Sequence, residues 1–212
     1  MKIGIVTLFH SNYSALSEFV LPNWNSYCEK HNYSLSYYIG SYGEGAIGFH
    51  KIRYLLDLFE KQVLDLALVL DLDILITNQD KKIEDFIKGM DNYDYFVTKD
   101  INGINNGSFI IRNTEWSRSF LKFILSHSKI LSNEQDVLKN NEGKLIGEKL
   151  KILDHPSLND YLHDIYPQYK NIPFPNNWNE DSFVLHLPGT KLEQRLQIFK
   201  EILNKKDGQK GV

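Results

Sequence analysis

The chain opens on an apolar run, Lys2-Ile-Gly-Ile-Val-Thr-Leu-Phe9, that predicts a buried strand over residues 2–9. Over residues 14–31 apolar positions recur at helical spacing. Leu16, Phe19, Val20, Trp24, Tyr27 and Cys28 lie about one face apart, and Pro22 is expected to split the helix. Residues 33–39 alternate and are rich in Tyr, hence a strand, and a glycine-studded loop follows over 40–48. A helix over 50–62 places Ile52, Leu55, Leu56 and Phe59 on one side. Residues 66–78, Leu-Ala-Leu-Val-Leu-Asp-Leu-Asp-Ile-Leu-Ile-Thr-Asn, read as a further strand, with shorter strands at 94–98 and 108–112. A helix over 114–128 carries Trp116, Phe120, Phe123 and Ile124. Ser132-Asn-Glu-Gln135 and Thr190-Lys-Leu-Glu193 have the form of capping boxes, opening a short helix and a final one with Leu192, Leu196, Phe199 and Leu203 inward. Strands alternating with helices predict an α/β fold with a mainly parallel central sheet flanked by helices. No linker interrupts the pattern, so residues 1–204 are expected to form a single domain, with a loose polar tail over 205–212.

Composition narrows the function classes. With 42% hydrophobic residues over 212 positions the chain can build a real core, which excludes a disordered or fibrous protein. The 24 Lys and Arg are matched by 27 Asp and Glu mixed along the chain, so no basic surface points to nucleic acid, and an anionic ligand must be held locally. The single cysteine, Cys28, can form no internal disulfide and suits a reducing compartment. No apolar run approaches the ~18–20 residues of a membrane span. The first nine residues lack the form of a secretion signal, and a cytoplasmic location is expected.

The candidate chemistry begins with Asp71 and Asp73, two carboxylates inside an apolar run. If the strand continues through them, its period of two puts both on one side near the carboxyl end, where ligands bind in open α/β sheets. Two carboxylates so placed repel each other unless a cation lies between them, and a divalent metal is the economical answer. The alternative ends the strand at Leu70 and makes both aspartates loop residues. It is the weaker reading, because Ile74-Leu-Ile76 continues the apolar pattern. The haloacid-dehalogenase phosphatases also place Asp-x-Asp at a strand end, with the first Asp as nucleophile. Their motif continues into Gly and Thr or Val, however, whereas Ile74 and Leu75 follow here. Gly43-Glu-Gly45-Ala-Ile-Gly48 matches the dinucleotide fingerprint, but it does not follow the first strand, where that turn belongs. These glycines read as a loop near a site entrance.

Several stretches together resemble one family. Lys51-Ile-Arg-Tyr-Leu-Leu with Val69-Leu-Asp-Leu-Asp-Ile-Leu-Ile-Thr-Asn78 resembles the metal-binding region of GT-A nucleotide-sugar glycosyltransferases. The resemblance is closest to the galactosyl/mannosyltransferase family that includes yeast α-mannosyl and plant xyloglucan xylosyltransferases, and extends to the glycogenin-like family. Asn105-Asn-Gly-Ser-Phe-Ile-Ile-Arg-Asn-Thr-Glu-Trp-Ser117 is similar to that family's Asn-x-Gly-Ser-Phe-x-x-Arg-Asn-x-x-Trp-Ser. Glu134-Gln-Asp136 resembles its acidic-Gln-Asp segment, and His186-Leu-Pro-Gly-Thr-Lys191 its His-x-x-Gly-x-Lys. Asn23-Trp-Asn-Ser-Tyr-Cys-Glu-Lys-His-Asn-Tyr33 is similar to its early helix and strand. The family's aromatic residue before the first Asp is replaced by Val69 or Leu70, and its threonine by Asn106.

The resemblance implies a single GT-A domain and a metal-dependent transfer of a hexose or pentose from a UDP-sugar to a saccharide hydroxyl. It assigns Asp71, Asp73 and His186 to the metal. Two hard oxygens and an imidazole suit Mn²⁺ or Mg²⁺, with Mn²⁺ favoured by the histidine. An isolated histidine is usually a core residue, but the setting of His186 in Val184-Leu-His-Leu-Pro-Gly-Thr-Lys191 favours the ligand. Gly189 would let backbone approach a phosphate, Lys191 would add a point charge, and a helix starting at Thr190 would aim its amides there, unless Thr190 simply caps the helix. By resemblance Thr7, Leu8 and Phe9 cradle uracil and ribose, and Lys51 lies near the donor. Asn106 and Gln135 would face the sugar, with Asp136 orienting donor or acceptor hydroxyls. The family retains stereochemistry and places a glutamine beside the anomeric carbon. Glutamine is a poor nucleophile, so front-side attack by the acceptor hydroxyl is favoured, its proton passing to the leaving phosphate. Glu134 is the base if the chemistry inverts, and a capping role for Gln135 competes with catalysis. A nucleotide-sugar binding domain without turnover is the remaining alternative.

Overall fold

The computed structural model describes residues 1–100, 103–145, 148–153, 160–161, 183–187 and 189–209. A six-stranded sheet is built from β1 (Ile3–Phe9), β2 (Ser34–Ile39), β3 (Leu66–Leu70), β5 (Tyr95–Asp100), β6 (Gly103–Arg112) and β7 (Leu150–Ile152), in the order β2-β1-β3-β6-β5-β7. Only β6 runs against the others, so the sheet is mainly parallel, as the alternation of elements predicted. Strand period divides β3 between two cores. Leu66, Leu68 and Leu70 pack with α1 (Ser14–His31) and Phe199 of α5 (Leu192–Gln209), whereas Ala67 and Val69 pack with α2 (Ile47–Glu60) and α3 (Glu115–Ser126). Both faces are covered, which is why β3 is continuously apolar.

The strand does not continue through the two aspartates. β3 ends at Leu70, the chain turns with the Ile74 amide donating to the Asp71 carbonyl at 3.2 Å, and Ile74–Ile76 forms β4 in a second sheet. The reading judged weaker from sequence is the correct one. The apolar run persists because β4 is buried too, between β9 (Val184–His186) and α1 rather than in the main sheet. That second sheet has the order β4-β9-β8, with β8 at Asp160–Tyr161.

Other boundaries differ for identifiable reasons. α1 runs unbroken through Pro22, and its Asn23 and Trp24 side chains satisfy the backbone of β4: Asn23 Nδ2 donates to the Ile76 carbonyl at 3.0 Å, its Oδ1 accepts from the Ile76 amide at 2.9 Å, and Trp24 Nε1 donates to the Ile74 carbonyl at 3.2 Å. Helix α4 (Glu134–Leu145) is capped by Asn133, whose Oδ1 accepts from the Gln135 amide at 2.8 Å, so a single cap one residue after Ser132 takes the place of the expected box. α5 begins at Leu192 and runs through Gln209, into the polar segment expected to be loose. Residues 210–212 and Pro188 lie outside the described residues.

Candidate active site

A cleft of about 370 Å³ opens at the carboxyl ends of β1 and β3. Its wall brings together Phe9, Lys51, Asp71, Asp73, Asn106 and Gln135 from the residues singled out in the sequence. Leu8 also lies on it. His186 stands behind it, in contact with Asp73. Thr7, Asp136, Gly189 and Lys191 are not on this wall. Thr7 is buried in the sheet, and Gly189 and Lys191 are exposed at the entry to α5.

Gly107 lies between the Asp71 backbone and the His186 ring, and His186 in turn contacts Asp73. The Asp71 amide donates to the Gly107 carbonyl at 2.8 Å, continuing the β3–β6 pairing by one residue. The antiparallel register of β4 with β9 sets Ile74 opposite His186, and the Leu187 amide donates to the Asp73 carbonyl at 3.1 Å. His186 Nε2 thereby comes to 3.4 Å from Asp73 Oδ1. The imidazole packs closely on Gly107: a Cβ there would sit 2.5 Å from His186 Cε1. The glycine of the Asn-x-Gly-Ser stretch is thus required by the histidine nearly eighty residues later.

The electrostatics follow two separate pairings. Buried Lys51, on α2, points its ammonium at Asp71 Oδ1 (2.6 Å) and the Asn106 carbonyl (3.1 Å), with Glu134 Oε1 at 3.8 Å. Burial works against its charge, but Asp71 and Glu134 more than compensate and hold its pKa above the ordinary value. Glu134 is seated against Gly48, where a Cβ would fall 1.6 Å from its Oε2, and accepts from Asn106 Nδ2 at 3.4 Å. The Tyr95 hydroxyl donates to Asn106 Oδ1, which fixes the amide. Burial raises the Tyr95 pKa well above its usual range, aided by the Glu134 charge, so the hydroxyl keeps its proton. Asp73 forms the second pairing, between His186 and Arg195, whose Nη2 lies 3.2 Å from Asp73 Oδ2. Burial opposes ionisation of Asp73, yet His186 and Arg195 bring its pKa down to about 2.

Among the described residues no group of three or more His, Cys, Asp or Glu side chains gathers as an ion would require. The reason is local: Asp71 is turned to Lys51, and Asp73 to His186 and Arg195. In kind, the three donors fit a hard divalent ion, and the Gly107 cradle keeps the imidazole beside Asp73.

Arg195, Tyr95, His10 and Tyr13 belong to the site or its support and escaped the sequence reading. Only Arg195 carries a sequence signal, a cation in the first turn of a helix, where the dipole disfavours it. The loop carrying the dinucleotide-like glycines does border the cleft through Ala46, Ile47 and Gly48. Arg53 Nη1 ties it down by donating to the carbonyls of Tyr42 (3.3 Å) and Glu44 (3.1 Å).

Residues 53–197 match the family described as the galactosyl transferase GMA12/MNN10 family. No curated protein matches the sequence. Among solved structures, a glycosyltransferase involved in the glycosylation of the major capsid of PBCV-1 superposes with a TM-score of 0.72 at 19% identity, covering 93% of this chain and 99% of that one. The glycosyltransferase GlyE of Streptococcus pneumoniae TIGR4 gives 0.55 at 15% identity, over 99% of this chain and 65% of its own. The WbbM bifunctional glycosyltransferase gives 0.58 at 11% identity, over 96% and 51% respectively. These likenesses establish the GT-A fold, and the family match removes the phosphatase reading of Asp71. The chain belongs to the galactosyl transferase GMA12/MNN10 family and is a glycosyltransferase.

Proposed function

We propose that the protein transfers a hexose or pentose from a UDP-sugar to a hydroxyl of a saccharide acceptor, with retention and with help from Mn²⁺ or Mg²⁺. The observation that supports this reading is the convergence of Asp71, Asp73, Asn106 and Gln135 on one cleft wall at the carboxyl ends of β1 and β3, with His186 against Asp73. Asp71, Asp73 and His186 would hold the ion, which when bound supplies Lewis-acid neutralisation of the diphosphate.

The chain's own groups divide the remaining work. Phe9 and Leu8 on the cleft wall are suited to the base and ribose. Gln135 and Asn106 face the space where a donor sugar would lie, and Tyr95 keeps the Asn106 amide oriented. Glu134 lies on the cleft wall and Asp136 does not, so Glu134 is the better candidate for ordering hydroxyls. Its carboxylate is already engaged by Lys51 and Asn106, so it is not free to act as a base or nucleophile. That favours front-side attack, in which the acceptor oxygen bonds to the anomeric carbon as the sugar–phosphate bond breaks and its proton passes to the departing phosphate. Lys191 and Gly189, at the entry to α5, would join only by closing over a bound diphosphate. The lone cysteine, Cys28, is buried and free, in keeping with a cytoplasmic site of action.

The test is a donor screen. UDP-glucose, UDP-galactose and UDP-xylose are incubated with Mn²⁺, and UDP release is followed in wild type and in Asp71→Asn. Release from one donor that falls at least tenfold in the folded variant supports the reading. Equal release in both proteins overturns the role of Asp71.

A further inference from the structure

Two cations line the cleft wall, and they are not equally committed. Lys51 is engaged by Asp71, the Asn106 carbonyl and Glu134. Among the described residues Arg195 pairs with Asp73 alone, through one nitrogen at 3.2 Å, and its buried Nε has no hydrogen-bond acceptor there. A guanidinium carries five donors in a fixed fork suited to phosphate oxygens, and an unsatisfied buried donor is costly. Its position adds a second argument. Arg195 sits in the first turn of α5, where its amide makes an early helical bond to the Lys191 carbonyl at 3.0 Å and where the macrodipole repels a cation. An anion at that place would be attracted by both the helix terminus and the side chain.

We propose that Arg195 is the resident counterion of Asp73 and a diphosphate-binding residue, leaving Asp73 for the donor's diphosphate once that carboxylate is taken up by a divalent cation. The proposal rests on the reading that the cleft holds a nucleoside diphosphate. Arg195 holds the Asp73 carboxylate in place between turnovers, and it competes with the metal until a diphosphate is there to receive it. Metal and nucleotide binding are therefore coupled through this side chain.

Arg195→Met and Arg195→Lys test this against wild type by two measurements. Mn²⁺ alone is titrated by electron paramagnetic resonance, and UDP is titrated calorimetrically with Mn²⁺ present, after a thermal melt shows that each variant folds. The expected result for Arg195→Met is Mn²⁺ affinity raised about fivefold, because the competing cation is gone, with UDP affinity lowered roughly 10- to 100-fold. Arg195→Lys keeps wild-type Mn²⁺ affinity and loses UDP affinity in part. Wild type that binds UDP while both variants bind it equally well overturns the proposal alone, as does Mn²⁺ affinity that falls in Arg195→Met. Wild type that binds no UDP overturns the proposal together with the functional reading beneath it.

Discussion

Gly107→Ala should disable the site while sparing the fold. The new methyl carbon would lie 2.5 Å from His186 Cε1 and 3.1 Å from its Nε2, with Asn105 Oδ1 at 3.0 Å. Carbon atoms are comfortable at ~3.5–4.0 Å, so the imidazole must retreat by about 1 Å. It has no free space, since His186 is 3% exposed and Nε2 already faces Asp73 at 3.4 Å. Overpacking of this kind costs about 1–3 kcal/mol, which lowers the melting midpoint of a domain this size by roughly 2–12 °C. The functional loss should be larger. Metal–ligand distances tolerate only about 0.2 Å, so a displaced histidine stops serving as a ligand. Mn²⁺-dependent UDP affinity should then fall roughly 10- to 100-fold. Calorimetric titration of UDP with Mn²⁺, beside a thermal melt, reads both effects. Gly143→Ala is the control, because a Cβ there meets nothing within 4 Å and the site lies inside α4, where alanine is favoured by about 1 kcal/mol. Wild-type UDP affinity in folded Gly107→Ala would refute the claim that this glycine exists to admit His186.

Three further outcomes follow from the same contacts. Lys51→Met leaves Glu134, 7% exposed, with only the Asn106 amide, while half-exposed Asp71 regains water; a loss of roughly 3 kcal/mol should appear as a melting midpoint lower by about 6–12 °C. Because Asp73 is held at about 2, below the ordinary ~3.9, it stabilises the fold above about pH 4 and that contribution fades as pH falls toward 2. Urea midpoints of wild type and Asp73→Asn should therefore converge between pH 4 and pH 2, and parallel curves would contradict the assignment. Burial raises the Cys28 thiol to about 12, so the native protein at pH 8 should resist Ellman's reagent while the guanidine-unfolded chain reacts stoichiometrically.

The pattern of apolar positions carried the layers of this fold because both faces of the sheet and one face of each helix impose periods that survive in the sequence. It failed at Leu70, where a strand of one sheet passes through Asp71-Leu-Asp73 into a strand of another. Burial is equally complete on both sides of that turn, so hydrophobicity holds no record of it. Asp71, Asp73, Asn106 and Gln135, which the fold brings to one cleft wall, and His186 behind it could be named from the chain through the family's motifs. Arg195 could not, because its partner is over a hundred residues away, and it reaches Asp73 only through the β4–β9 register and the start of α5. Tyr95 was hidden for another reason: a tyrosine in a strand looks like core, and its role lies in one hydroxyl aimed at Asn106. The Asn23-Trp24 pair was legible as family pattern, but its task of holding β4 by three hydrogen bonds emerges only from the fold.

We propose that Asp71, Asp73 and His186 hold a divalent ion and, with it, a nucleoside diphosphate. The most direct test is calorimetric titration of UDP into the protein with Mn²⁺, repeated with EDTA and with Asp73→Asn. The account predicts binding with Mn²⁺ that disappears on chelation and in the folded variant. UDP binding that is unchanged by EDTA and by the substitution would contradict it.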